Sequence, residues 1–383
     1  MRVIHISEAL GGGIFEIVNN LSASQADRGH DVAIAYGVRD ETPSGLRAAV
    51  DPRVELIPTP WTDRTLRASL RASRELRPTV VEWKPDVIHL HSSFAGVIGA
   101  ATLGGIAPIV YSPQGYSFTM NASALKRVVF RALEWLVARR VDVVGASSDA
   151  EADLAREVLR APRVKVVPNG IPELDPDRMP PQSPAAGRSG AVAMGRVVPQ
   201  RQPREVAEIL SGLRDIAPVS WLGGGTSRSS GLDALALADV PVTGWLVHGE
   251  ALKRLSEAKV YLHWTAWDGL ALSVLEAMAR DVVVIASDIP PNRGVLGPEQ
   301  VFSSTDDASK AIRRVLLDDS YRQSLLREQR ERRAHYGSTA NAARWQEVYE
   351  ALVPNPKAGQ TVCPSHVDEV VPNQRSSAQA PAS

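Results

Sequence analysis

The chain has 383 residues, with 43 Lys and Arg balanced by 43 Asp and Glu, and is 44% apolar. That length exceeds one ordinary core and predicts two domains, while zero net charge leaves no global field favouring nucleic acid or acidic partners. The lone cysteine, Cys363, excludes an intramolecular disulfide, and no Cys/His cluster has structural zinc spacing, so a reducing compartment is natural.

Met1-Arg2-Val3-Ile4-His5-Ile6-Ser7 enters an alternating strand pattern directly, without the features of a secretory signal. Strands are predicted over 3–6, 32–36, 54–57, 87–90, 109–111, 141–145 and 164–167. Helices are predicted between them over 14–28, 62–76, 95–103, 122–139 and 149–159. Such alternation implies an α/β fold with a mainly parallel sheet covered on both faces. No Asp, Glu, Lys or Arg lies between Asp86 and Lys126, but Gly104-Gly105, Pro108 and Pro113 interrupt the run. A spanning helix needs about 20 mainly apolar residues. The segment therefore reads as strand, helix, strand and a cleft loop at 112–118.

Residues 172–190 are rich in Pro and Gly and read as a linker between domains 1–171 and 191–335. Strands resume over 191–194, 219–222, 240–243, 260–263 and 282–286. A terminal amphipathic helix within 336–353 presents Trp345, Val348, Tyr349 and Leu352 for packing. Residues 354–383, rich in Pro, Ser, Gln and Ala, are expected to be a disordered tail.

The most informative stretch is Asp268-Gly269-Leu270-Ala271-Leu272-Ser273-Val274-Leu275-Glu276. It sets two carboxylates eight positions apart across a loop-to-helix junction. Amides from Leu270 to Ser273 would lie between them, and free amides at a helix start bind phosphate well. Carboxylates reaching hydroxyls on either side suit an activated sugar nucleotide. The bland alternative makes Asp268 a helix cap and pairs Glu276 with a surface cation.

This stretch, with Glu276-Ala277-Met278-Ala279, resembles the acidic motif of the family 4 retaining glycosyltransferases, which have the GT-B fold. Leu10-Gly11-Gly12-Gly13, Asp86-Val87-Ile88-His89-Leu90-His91, Val166-Val167-Pro168-Asn169-Gly170, Met194-Gly195-Arg196 with Arg201, Trp221-Leu222-Gly223-Gly224-Gly225 and Val242-Thr243-Gly244-Trp245 extend the resemblance over roughly residues 1–352 in order. It implies two Rossmann-like doubly wound domains facing across a cleft, with the C-terminal helix crossing back to the first. The first would bind acceptor and the second nucleotide sugar. It further implies retaining, metal-independent sugar transfer to a glycan or lipid-linked hydroxyl in cell-surface polysaccharide or glycolipid synthesis. The setting would be cytoplasmic, on the inner membrane face. The sequence departs from the family at Asp268 (usually Glu), Arg201 (Lys), Gln114 (often His), Asp281 (Gly) and Val283 (Pro).

On this reading Arg196 and Arg201 stabilise the leaving diphosphate without a cofactor, Glu276 takes the ribose hydroxyls and Asp268 the sugar. Gly12, Gly13, Gly195, Gly269, Leu270, Leu272 and Ser273 line the donor, a UDP- or GDP-sugar, with no residue deciding between the two. His91, Gln114 and Gly115 face the acceptor or sugar. His89 and His91 share one face of a strand but show no third metal ligand, so no metal site is assigned. Gly11-Gly12-Gly13 lacks the dinucleotide-binding spacing, because Glu16 stands where its last glycine would be. Arg64, Arg67, Arg71 and Arg74 form a helical stripe near Trp61, Leu66 and Leu70 that can rest on anionic lipid or stay solvated. Two rivals are a catalytically inactive sugar-nucleotide-binding homologue and a nucleotide-sugar epimerase on the same architecture.

Overall fold

The computed structural model describes residues 1–353 except 40–41, 44, 62–65, 176, 178–186 and 226–229, with backbone alone at 66–70 and 230. The tail at 354–383, most of the linker and the start of the arginine stripe therefore lie outside the described residues.

The first lobe is a parallel sheet of seven strands: β1 (Arg2–Ser7), β2 (Asp31–Gly37), β3 (Glu55–Thr59), β4 (Val87–His91), β5 (Ile109–Ser112), β6 (Val143–Ala146) and β7 (Val164–Val166). Their order is β3-β2-β1-β4-β5-β6-β7. Every residue of β4 and β5 is buried. Burial on both faces explains why these strands read as apolar runs rather than alternations. Helices α1 (Gly12–Asp27), α2 (Leu46–Ala49), α3 (Leu66–Trp83), α4 (Ser92–Thr102), α5 (Ala124–Arg140) and α6 (Asp149–Asp153) accompany this sheet. Pro58 sits in β3, at the sheet edge, where a missing N–H is tolerated.

The second lobe has β8 (Ala191–Met194), β9 (Val219–Leu222), β10 (Val260–His263), β11 (Val283–Ser287) and β12 (Val301–Phe302), ordered β12-β11-β10-β8-β9. Its helices are α7 (Pro203–Ser211), α8 (Ser230–Leu237), α9 (His248–Glu257), α10 (Leu272–Ala279), α11 (Pro290–Val295), α12 (Thr305–Leu317) and α13 (Asp319–Arg333). The strand expected over 240–243 does not form. Val242 makes one isolated parallel bridge to Trp221. Pro241 lacks an amide hydrogen, and left-handed residues at Asp239 and Gly244 bound the segment too tightly for a ladder. The two-residue edge strand β12 was too short to show a period. The helix expected over 149–159 is α-helical only through Asp153 and continues as a wider π-type turn, Leu154–Val158.

The last helix, α14 (Ser338–Leu352), returns to the first lobe and packs beside α1. Trp345, Val348 and Tyr349 are buried against Val3, Val87, Val110 and Val143. The Trp345 ring fits because residue 145 in β6 has no side chain: a β-carbon there would lie 2.2 Å from the ring. Gly145→Val is therefore expected to lower unfolding free energy by about 1–3 kcal/mol, the range for overpacking a filled core. Urea denaturation checks it, and an unchanged midpoint would show that the helix seats elsewhere. Among the described residues, no helix is long and apolar enough to cross a membrane.

Candidate active site

The functional candidates gather where the carboxyl ends of both sheets meet, as expected for open parallel sheets. After β8 the chain turns sharply at Gly195, with φ +127°. This turn is tightly held. Gly195 N donates to Leu222 O (2.9 Å), Val197 N to Gly224 O (2.8 Å) and Trp221 Nε1 to Gly195 O (2.9 Å). Gly223 must also lack a side chain, since a β-carbon would stand 2.2 Å from Gly195 O. Arg196 projects from this rigid turn, exposed and without a hydrogen-bond or ion-pair partner among the described residues.

Arg201 ends a 3-10 turn, Pro199–Arg201, that is tied to the loop after β10. Ala266 N donates to Gln200 O (2.9 Å), and Gln200 Nε2 to Trp267 O (2.8 Å). These bonds bring Arg201 to Asp268, with 2.7 Å between NH1 and Oδ2. The contact is an ion pair. Burial works against the Arg201 charge, but Asp268 outweighs it and the guanidinium pKa rises. His263 lies beneath the pair, its Nε2 3.5 Å from Arg201 NH1. Burial, then Arg201, holds this imidazole neutral, well below the usual histidine pKa. Tyr261 donates to Ser273 Oγ (2.8 Å) and lies 3.0 Å from His263 Nδ1, so Nδ1 carries the proton and Nε2 accepts.

Asp268 does not cap α10, which starts after Ala271 without a side-chain cap. The expectation of free amides from Leu270 onward needs correction. Gly269 N donates to Asp268 Oδ1 (3.1 Å), and Leu270 N reaches Ser147 Oγ (3.5 Å) in the first lobe. Leu272 and Ser273, in the uncapped first turn, keep the open amides. The Leu270 and Leu272 side chains are buried, so any ligand contact there is by backbone.

Glu276 is buried one turn into α10 and sits 3.3 Å from His248 Nε2. With Glu16, Asn20, Glu173 and His248 it lines a cavity of ≈ 150 Å³ between the lobes. Burial pushes the Glu276 pKa to about 7, against the pull of His248 and Arg280 and helped by Glu173 and Glu16. Burial also raises Glu16. A carboxyl whose folded pKa exceeds its unfolded value contributes stability below the unfolded pKa and loses it as pH rises through the folded one. Glu276 is therefore expected to subtract from the stability of the ligand-free protein between about pH 4.5 and 7, on the order of a few kcal/mol, while the lowered pKa values of buried His5, His89, His91 and His263 act in the opposite sense. Melting curves of wild type and Glu276→Gln isolate this contribution: the stability of the variant relative to wild type should grow between about pH 4.5 and 7, and a constant difference would rule the assignment out.

Across the cleft, Gly12 (φ +54°) and Gly13 begin α1, with open space where their side chains would be. Gln114 and Gly115 also have positive φ and press directly on Gly269; a β-carbon on Gly269 would lie 3.1 Å from Gln114 C. The Gln114 amide is anchored within the first lobe, with one N–H and one oxygen lone pair left over. It exchanges two hydrogen bonds with Asn169, at 3.1 and 2.9 Å, and Asn169 Nδ2 also donates to Leu270 O (3.1 Å).

His91 is not a cleft-edge residue. It is 1% exposed, with Nε2 3.0 Å from His5 Nδ1. His5 Nε2 donates to Gln25 Oε1 (2.7 Å), so His5 Nδ1 accepts from His91. Gln25 Nε2 donates to Tyr349 Oη, which lies 2.8 Å from His89 Nδ1, while His89 Nε2 lies 2.9 Å from Ser112 Oγ. His5 thus joins His89 and His91 as the third histidine that the sequence did not show. Five of the six ring nitrogens have hydrogen-bond partners, and burial lowers all three pKa values. The cluster fastens α14 to the sheet.

Sequence reasoning missed Glu151. Its buried carboxylate accepts from Gly115 N and Ser147 N, both at 2.6 Å, and so fixes the two first-lobe loops that meet Gly269 and Leu270. Ser148-x-x-Glu151 was a visible capping pattern, and Ser148 does accept from Glu151 N. The carboxylate's partners, however, are set by tertiary folding. Of the predicted arginine stripe, Arg64 and the Arg67 side chain lie outside the described residues; Arg71 and Arg74 are exposed, and Arg71 is 3.5 Å from Glu75. Trp61 is fully buried and cannot face lipid.

Two doubly wound lobes closing over one set of strand ends are the architecture of GT-B glycosyltransferases. Sucrose-phosphate synthase from Thermosynechococcus elongatus superposes with TM-score 0.76 at 18% identity, covering 92% of this chain and 99% of that one. Anabaena HepE in complex with UDP and glucose gives TM-score 0.74 at 14% identity, over 92% and 100%. Residues 12–170 match the family "Glycosyl transferase 4-like domain" and residues 226–333 match "Glycosyl transferases group 1". The chain belongs to this family of GT-B glycosyltransferases and is a glycosyltransferase. Among curated relatives, an uncharacterized 41.2 kDa protein in the cps region of Klebsiella pneumoniae is 24% identical, over 82% of this chain and 88% of its own length. The UDP-Gal:α-D-GlcNAc-diphosphoundecaprenol α-1,3-galactosyltransferase of Escherichia coli is 22% identical, over 63% and 67%. The GDP-mannose:cellobiosyl-diphosphopolyprenol α-mannosyltransferase of Xanthomonas oryzae pv. oryzae is 26% identical, over 76% and 80%.

Proposed function

We propose that the chain transfers a sugar from a nucleotide-sugar donor to a hydroxyl of a polyprenyl-diphosphate-linked glycan, with retention and without a metal, at the cytoplasmic membrane face during polysaccharide synthesis. The observation that carries this reading is the pair of guanidiniums, Arg196 on its pinned turn and Arg201 against Asp268, beside the open first turn of α10. The names of two relatives, which specify diphosphoundecaprenol- and diphosphopolyprenol-linked acceptors, support the acceptor class.

In this reaction the bond between the anomeric carbon and the diphosphate oxygen breaks, and its electron pair leaves with the diphosphate. Arg196 and Arg201 stabilise the charge as it develops. The acceptor oxygen adds on the same face, and its proton passes to the departing phosphate. Glu276 accepts from the ribose hydroxyls. A glycosidase-like double displacement needs two carboxyl groups about 5 Å apart across the bond; Asp268 is instead committed to Arg201.

The test starts with thermal shifts against UDP, GDP, ADP and their sugar conjugates in chelator, followed by transfer to a polyprenyl-diphosphate saccharide with the product anomer read by NMR. One selective nucleotide, chelator-resistant transfer and a retained anomer are expected. An inverted anomer or loss of activity in chelator overturns the corresponding part. Binding without transfer or hydrolysis favours the inactive homologue, and an altered donor without acceptor favours the epimerase.

A further inference from the structure

Helix α5 stands out from the first lobe. Every residue from Ala124 to Val129 is exposed, over the first turn and a half of the helix. Leu125, Val128, Val129, Trp135 and Leu136 are 74, 58, 47, 40 and 39% exposed. Leu125, Val128, Ala132, Trp135 and Arg139 recur at three and four positions, so they form one stripe along a helix about 25 Å long. The exposed charges of the helix have one sign, Lys126, Arg127, Arg131, Arg139 and Arg140, with Arg131 and Arg139 nearest the stripe. The single acid of the helix, Glu134, is buried and accepts from Ser93 Oγ and Tyr111 Oη on the opposite side. A groove of ≈ 570 Å³ beside the helix combines Val128, Trp135 and Val158 with Arg131, Arg139 and Arg160.

We propose that α5 docks on an anionic lipid bilayer, its apolar stripe entering the headgroup boundary and its arginines meeting lipid phosphates. Exposed apolar residues flanked by cations are what such a surface requires. A second copy of the chain fits poorly, because a two-fold contact would set five cations against five like charges. The placement matters: the 3-10 turn Ser117–Thr119 links the cleft loop at Gln114 and Gly115 to α5, and Met120 extends the exposed apolar surface toward it. Docking through α5 therefore brings the acceptor side of the cleft to the bilayer.

The experiment uses the full chain and no substrate, so it stands apart from the proposed reaction. Co-sedimentation with phosphatidylglycerol/phosphatidylcholine vesicles should retain the protein at low salt and less at higher salt, with none held by phosphatidylcholine alone. Leu125→Asp with Val128→Asp, and separately Arg131→Glu with Arg139→Glu, should each lower retention at least about tenfold. Melting curves confirm that both variants fold, and Arg71→Glu with Arg74→Glu should bind as wild type. No retention at low salt, or retention indifferent to the α5 changes, overturns the proposal. So does a soluble dimer that Leu125→Asp converts to monomer, which would make the stripe a self-interface.

Discussion

Arg196→Ala is expected to reduce turnover roughly 10²- to 10³-fold, the effect of losing one preorganised charge at a developing oxyanion, while leaving thermal stability unchanged. The two effects separate because of where the side chain stands. Arg196 is exposed and has no partner among the described residues, so removing it breaks no folded-state contact. Its backbone turn is held by Leu222, Gly224 and Trp221, none of which depends on the guanidinium. Arg196→Lys should recover part of the rate, since an ammonium keeps the charge but not the planar fork. Steady-state rates at saturating donor and melting curves on the same preparations decide it. Parallel losses of rate and stability would make Arg196 structural.

Arg201→Ala should behave differently, losing turnover and stability together. Its side chain and that of Asp268 are 21% and 18% exposed, and their ion pair is 2.7 Å long. Removing one member of a buried pair strands the other charge, at about 3–5 kcal/mol; partial exposure places this case near 3 kcal/mol. Asp268→Asn in the same chain removes the stranded charge. The double variant should regain much of the stability and none of the activity, a non-additivity expected of residues in direct contact. If Arg201→Ala unfolds at the wild-type denaturant concentration, the pair does not form in solution.

Much of this was legible in the sequence because it depends on local rules. Glycines at strand ends marked Gly195 and Gly115, where left-handed backbone is required. Apolar runs marked the buried strands, and Gly269 followed by Leu272, Leu275 and Met278 marked the loop and helix that carry Asp268 and Glu276. What stayed hidden depends on distant segments. Asp281 stands in a left-handed turn at φ +52°. Its carboxylate holds Arg330 and Arg333, 49 and 52 positions away, at 3.0 and 2.8 Å. His248 shows no motif, and reaches Glu276 only because α9 and α10 pack together. The resemblance implies that His91 faces acceptor or sugar; its burial follows from His5, on the neighbouring strand, which no sequence spacing links to it.

The contact between Gly115 and Gly269 limits how the cleft can close. Two backbones meet there without side chains, and the Asn169 and Ser147 bonds to Leu270 flank them. These hydrogen bonds are polar, so water would replace each one on any opening of the cleft. Opening the cleft would release this seam together with the packing of α6 on α11 and of Ile17 on the second lobe. The same glycine seam penalises a loose closure, since backbones in van der Waals register tolerate little misalignment. A shut cleft is thus positionally exacting at this seam.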